Sequence, residues 1–175
     1  RDIKYSLLRK VGAKAAYDRT RRKWFIYLTC LINNVEVGHV KAEIEKPKPY
    51  VNKKGHNVKP PSYVNSPGVW SKFKGLLFYD YAVNLMHERD LKTMVLVEGP
   101  RDALRLLSYN IPCVCILGTH SWTAQKSEVL EFAGVERLVL LLDGDEAGEQ
   151  GTTHILDQSQ GAFKFKVVKL WTYKI

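Results

Sequence analysis

Apolar residues at Tyr79, Ala82, Val83 and Met86 follow the i, i+3, i+4, i+7 spacing of an amphipathic helix and predict one from about Tyr79 to His87. Beyond a polar stretch from Glu88 to Lys92, apolar runs and helical segments alternate. The pattern predicts strand 93–97, helix 100–109, strand 111–117, helix 123–133, strand 136–142, helix 146–157 and strand 164–170. Val95-Leu96-Val97 and Leu138-Val139-Leu140-Leu141-Leu142 are continuous apolar runs, the signature of strands covered on both faces. Strict strand–helix alternation of this kind predicts an α/β fold with a parallel sheet and right-handed crossovers.

The first half reads differently. Trp24–Leu28 and Val35–Ala42 are rich in strand formers, and Asn33-Asn34 between them is a turn signal, so they predict an antiparallel hairpin. Residues 45–61 are rich in Lys, Pro and Asn without apolar periodicity and predict a long exposed loop. Up to Lys10 the pattern fits a short helix or an ordered linker.

With 175 residues the chain can build one sizeable core or two small ones, and 45% hydrophobic with 26% charged residues places it among globular chains rather than disordered ones. Charged residues interrupt every apolar stretch before it reaches the ~18 residues of a membrane span. The chain begins with Arg1 and shows no signal peptide, which predicts a cytoplasmic piece of a longer protein. Cys30, Cys113 and Cys115 lack paired zinc-ligand spacing; Cys113 and Cys115 fall on one face of an apolar strand, where they read as packing residues. The net charge of +9 is unevenly placed. Residues 1–75 hold 17 basic and 5 acidic residues, a balance of +12, and residues 76–175 hold 10 and 13, a balance of −3. A polyanion held by the basic half and a metal by the other is the division this predicts.

The candidate chemistry lies at the ends of the two apolar runs, where Glu98 follows one and Asp143-Gly144-Asp145 the other. Ligands collect at the carboxyl ends of parallel strands. If the two strands are neighbours, three carboxylates share a cleft, and their mutual repulsion calls for a hard cation such as Mg²⁺ or Mn²⁺. Asp102, one turn into the next helix, reads equally as a ligand or as a capping or orienting residue. Leu117-Gly118-Thr119-His120-Ser121 is a strand-to-helix turn that reads either as a phosphate seat, with Thr119 and His120 as contacts, or as an ordinary turn in which Thr119 or Ser121 caps the helix.

Val97-Glu98-Gly99-Pro100-Arg101-Asp102-Ala103-Leu104, Leu117-Gly118-Thr119 and Asp143-Gly144-Asp145-Glu146-Ala147-Gly148 together resemble the Toprim domain of DnaG-type primases. Upstream, Ser62-Tyr63-Val64-Asn65-Ser66-Pro67, Phe73-Lys74-Gly75 and Leu77-Phe78-Tyr79 resemble blocks of the basic subdomain of the same primases, including phage primase-helicases. The resemblance implies a Rossmann-like Toprim sheet over 91–175, preceded by a small basic α/β subdomain over 1–90. It implies magnesium or manganese held by Glu98, Asp143 and Asp145 with Asp102 in support, and nucleotide or template contacts from Lys41, Asn65 and Lys74. It further implies RNA primer synthesis from nucleoside triphosphates on single-stranded DNA, alongside a replicative helicase.

Two departures stand out. Ser62 replaces a Lys common in the family, with Lys59 a nearby substitute, and the acidic pair that follows the last Toprim strand is not found in Trp171–Ile175. The primase zinc module is not visible in this chain. Trp24, Tyr63 and Trp70 read as core or as stacking surfaces for bases. The rival readings are a Toprim nuclease or topoisomerase fragment and a non-catalytic DNA-binding module of a helicase.

Overall fold

The structure, a computed structural model, describes residues 3–44, 48–58, 60–68, 70 and 75–169. A short helix α1 (Tyr5–Lys10) precedes strands β1 (Ala13–Asp18), β2 (Lys23–Ile32) and β3 (Val35–Glu43). The β2–β3 hairpin is the one its sequence predicts. Asn33 and Asn34 both adopt left-handed backbone, φ 54° and 63°, the geometry that Asn tolerates and a two-residue hairpin turn requires. The turn is held from outside: Asp80 accepts the backbone N–H groups of Asn33 and Asn34 at 2.8 and 2.7 Å.

β1 was not legible, because Ala-Lys-Ala-Ala is a poor strand former. It is a strand because β2 supplies a partner, with Ala13 opposite Leu28 and Tyr17 opposite Trp24. Its mostly exposed side chains suit a sheet edge. The predicted loop carries a two-residue ladder, β4 (Tyr50–Val51) with β5 (Asn57–Val58). β6 (Val64–Asn65) then pairs with β3, so the first sheet has the order β1-β2-β3-β6.

Helix α2 (Tyr79–Glu88) leads into a second sheet of β7 (Thr93–Val97), β8 (Cys113–Cys115), β9 (Arg137–Leu140) and β10 (Lys164–Val167), joined by α3 (Pro100–Ser108), α4 (Ala124–Phe132) and α5 (Glu146–Gln158). The order is β10-β9-β7-β8, every pair parallel. The chain adds β8 on one side of β7 and then crosses back to add β9 on the other. β7 and β9 therefore flank a topological switch point, where open α/β sheets form ligand crevices. Met94, Leu96, Val114, Leu138 and Leu140 are fully buried, as continuous apolar runs require.

β7 matches its predicted bounds, whereas β8, β9 and β10 are shorter than predicted. Ile116 and Leu141 still donate to Val97 and Leu96 of the neighbouring strand, at 2.9 and 3.0 Å, but Leu117 turns left-handed at φ 63° and ends the ladder. Cys113 and Cys115 are buried, as predicted.

The two sheets are joined at the free edge of β8. Leu77 exchanges both backbone hydrogen bonds with Cys115, at 3.0 and 3.1 Å, and Cys30 of β2 donates its thiol to the Leu76 carbonyl. α2 is pinned to α4 by Tyr79 Oη donating to the Val129 carbonyl at 3.1 Å, and its His87 Nε2 lies 2.9 Å from the Ala133 carbonyl. One buried cluster runs from Leu7 and Leu28 through Met86 to Ile155 and Phe163. Among the described residues no helix is long and apolar enough to cross a membrane.

Candidate nucleotide and metal site

Because β7 and β9 pair with Leu96 opposite Leu140, the chain leaves both strands side by side. Glu98 Oε1 accepts the backbone N–H of Asp143 at 3.1 Å. Partial burial pushes the Glu98 carboxyl above its ordinary range, and the charges of Asp143 and Asp145 add to this, while the Asp143 N–H and His120 pull the other way. Asp143 is likewise raised, by desolvation and then by the charges of Asp102 and Asp145. Asp102 sits in the first turn of α3, after Gly99 as N-cap and Pro100 at the first helical position. A Cβ on Gly99 would lie 3.2 Å from Asp102 Oδ2, so glycine lets that carboxylate stand close.

Asp145 has a second task. It is the N-cap of α5, its Oδ1 accepting the Gly148 N–H at 2.9 Å. Among the described residues no three His, Cys, Asp or Glu side chains gather into a metal-holding group. The arrangement is an open, repelling set of carboxylates and not a closed cage. Hard oxygen donors of this kind fit a cation such as Mg²⁺, which keeps several waters and takes one or two carboxylates. Gly148 is buried against the loop: a Cβ there would stand 1.9 Å from the Asp143 carbonyl oxygen. Beside Asp143 opens a cleft of about 530 Å³ lined by Gly144, Glu149, Thr152 and Lys169 among others.

The predicted strand-to-helix turn forms a short 3₁₀ segment, Thr119–Ser121, with Gly118 at φ 118°. Neither Thr119 nor Ser121 caps α4, whose N-cap position is Thr123, because the 3₁₀ turn lies between. Ser121 Oγ instead reaches back to the carbonyls of Gly118, at 2.7 Å, and Ile116. Thr119 is buried against Gly151 of α5, where a Cβ would meet the threonine side chain at 2.7 Å. His120 is exposed, stands on the Glu98 side, and its ring centroid is 6.4 Å from that of His154, whose Nε2 lies 3.1 Å from the Trp122 carbonyl.

The remaining candidates lie on the first sheet. Lys41 holds its Nζ 3.7 Å from the Phe25 ring centroid and 3.6 Å from Asp18 Oδ2, so its charge is shared within the sheet. Asn65, opposite Val40, is exposed. Lys74, with Phe73 and Lys59, lies outside the described residues. Trp24 is exposed beside Tyr17, whereas Trp70 packs over Gly38 and donates its indole N–H to the Ser66 carbonyl at 3.1 Å. Sequence reasoning missed Lys126 and His154. No residue pattern marks a lysine for burial when its partners are a backbone carbonyl and a hydroxyl supplied by another segment.

A sequence model of the family described as Toprim-like matches residues 95–174. A DNA primase of Deinococcus radiodurans is 34% identical over 108 residues, which span 61% of this chain and 19% of that protein. The chain spans under a fifth of the length of the curated relatives it matches, 17% for a DNA primase of Chlamydia muridarum. In fold it is similar to the zinc-binding and RNA polymerase domains of the Aquifex aeolicus primase, with TM-score 0.73 at 20% identity over 98% of this chain and 48% of that one. It is also similar to a DnaG primase catalytic domain bound to single-stranded DNA, with TM-score 0.63 at 19% identity over 94% of this chain and 52% of that one. Residues 95–174 thus match the Toprim-like model, and over about 100 residues the chain is similar in sequence to DNA primases.

Proposed function

We propose that this chain is part of the catalytic core of a DNA primase, joining ribonucleotides into short primers on single-stranded DNA. The observation that carries the reading is the contact of Glu98 with the Asp143 backbone across β7 and β9, where burial and neighbouring carboxylates raise both the Glu98 and the Asp143 carboxyl. In this reading residues 1–90 are a basic subdomain and 91–175 the Toprim subdomain, working in the cytoplasm of a bacterial or phage-infected cell beside a replicative helicase.

Glu98 and Asp143 would hold Mg²⁺ or Mn²⁺, with Asp145 contributing its other oxygen and Asp102 in support. Bound there, the cation supplies Lewis-acid stabilisation of charge at the reacting phosphate. The protein does the rest by placement. The β7–β9 pairing keeps Glu98 against the Asp143 loop, and the Asp145 cap keeps that loop on α5. Thr119 and His120 are proposed as the phosphate contacts, His120 through its exposed imidazole and Thr119 through its backbone N–H, because its side chain is buried against Gly151. Lys41, Asn65 and Lys74 are proposed to contact nucleotide or template, and the +12 balance of residues 1–75 to hold the template backbone through salt-sensitive contacts.

Incubation with single-stranded template, labelled ribonucleotides and magnesium tests this. Oligoribonucleotides are expected; cut DNA, or binding with no product, would support the nuclease or the binding-module reading instead. Asp143→Ala is expected to abolish joining while leaving salt-sensitive DNA binding nearly intact. Equal loss of binding would refute separate metal and template surfaces.

A further inference from the structure

Among the described residues Lys126 is the only lysine, arginine, aspartate or glutamate that is fully buried, at 0% exposure. Burying an ammonium is costly, and a methionine of similar length would fill the space without that cost. What the ammonium adds is donors. Its Nζ donates to the Ile116 carbonyl at 3.2 Å and to Ser121 Oγ at 3.1 Å. Ser121 Oγ in turn reaches the carbonyls of Gly118 and Ile116. Among the described residues no carboxylate pairs with Lys126. The groups whose charge would reach it are Cys115 and Cys30, and burial pushes both thiols up to about 12, so they stay neutral.

The turn that this network ties down needs a restraint. Leu117 is a non-glycine residue in left-handed backbone, and such conformations persist only where the surroundings over-determine them. The turn delivers Thr119 onto Gly151 and His120 to the side of Glu98. We infer that Lys126 is a positioning residue that, through Ser121, locks the 116–121 turn and so places Thr119 and His120 for nucleotide at the carboxylate site.

The nucleotide part of this inference rests on the proposed primase reading; the locking part does not, and the test separates them. Lys126→Met, Ser121→Ala and the double variant are compared with the unaltered chain by thermal melting, by exchange of the hydrogen-bonded amides of Ile116 and, at the turn, Ser121, and by KM and kcat for ribonucleotide. Lys126→Met is expected to melt at or above the unaltered temperature, because a buried charge is removed. Exchange at the turn is expected to quicken about tenfold, the factor one hydrogen bond supplies, and KM to rise about tenfold with kcat changed less. The double variant is expected to lose less than the sum of the two single changes, because the Lys126–Ser121 contact is lost in both. Unchanged exchange in Lys126→Met, or additive effects in the double variant, would overturn the inference. If Lys126→Met melts early, Ser121→Ala carries the same test at a half-buried position. Faster turn exchange in a chain that joins no nucleotides would keep the lock and discard the primase reading.

Discussion

Replacing Gly148 by alanine tests the packing that sets Asp143. Alanine inside a helix ordinarily stabilises it by ~1 kcal/mol relative to glycine, so a naive expectation is a gain. Here the new Cβ would fall 1.9 Å from the Asp143 carbonyl oxygen and 2.8 Å from its carbonyl carbon. Carbon and carbonyl oxygen approach to ~3.3 Å, so helix and loop must part by roughly 1.4 Å. Both sides of that contact are backbone, so no side-chain rotation relieves it. Overpacking of this kind costs ~1–3 kcal/mol. Parting also weakens the cap from Asp145 to the Gly148 N–H, worth ~1 kcal/mol. Set against the propensity gain, the net loss is about 1–3 kcal/mol, and at this chain length Tm falls by roughly 2–12 °C. The functional effect is larger. A displacement near 1 Å at reacting groups costs about 100-fold in rate, so nucleotide joining should fall by about that factor below the melt. Calorimetry and a primer-synthesis assay on the same preparation measure both. A variant that melts like the original and joins nucleotides at full rate would refute the claim that contact between α5 and the loop positions Asp143.

Glu98 and Asp143 are both held above the ordinary carboxylate range, so the folded chain keeps protons that the unfolded chain has released. The stability this gives is present at low pH and lost as pH rises from the ordinary carboxylate range through the raised one. Magnesium should replace the protons: at pH 8 and ten times its Kd it should add about 1.4 kcal/mol, less as pH falls through that window, and nothing in a Glu98→Gln, Asp143→Asn variant. A melt at pH 8 indifferent to magnesium would count against the cation site. Asp80→Ala should cost about 0.5–1.5 kcal/mol by removing the acceptor of the exposed Asn33 and Asn34 amides, which water then solvates, and a urea titration with unchanged midpoint would show that the turn holds itself.

Much of the fold is local chemistry and was readable. The helix at Tyr79–Glu88 follows from apolar spacing, the β2–β3 turn from two asparagines that accept positive φ, and β7 from an apolar run that matches its bounds, Thr93–Val97. The placing of Glu98 and Asp143 at strand ends was readable for the same reason. Asp145 was read for metal alone, because Asp-x-x-Gly does not announce whether a carboxylate caps its own helix or turns outward.

By itself the sequence determined which segments are strands or helices in the parallel sheet and which acids stand at their ends, because periodicity and turn chemistry act within a few residues. Only the tertiary structure decided that β9 crosses back to lie beside β7, that Ala13–Asp18 becomes a strand, that Leu77 closes onto Cys115, and that Lys126 is dry. Pairing and desolvation depend on what distant segments bring to the same place, and no window of neighbouring residues carries that information.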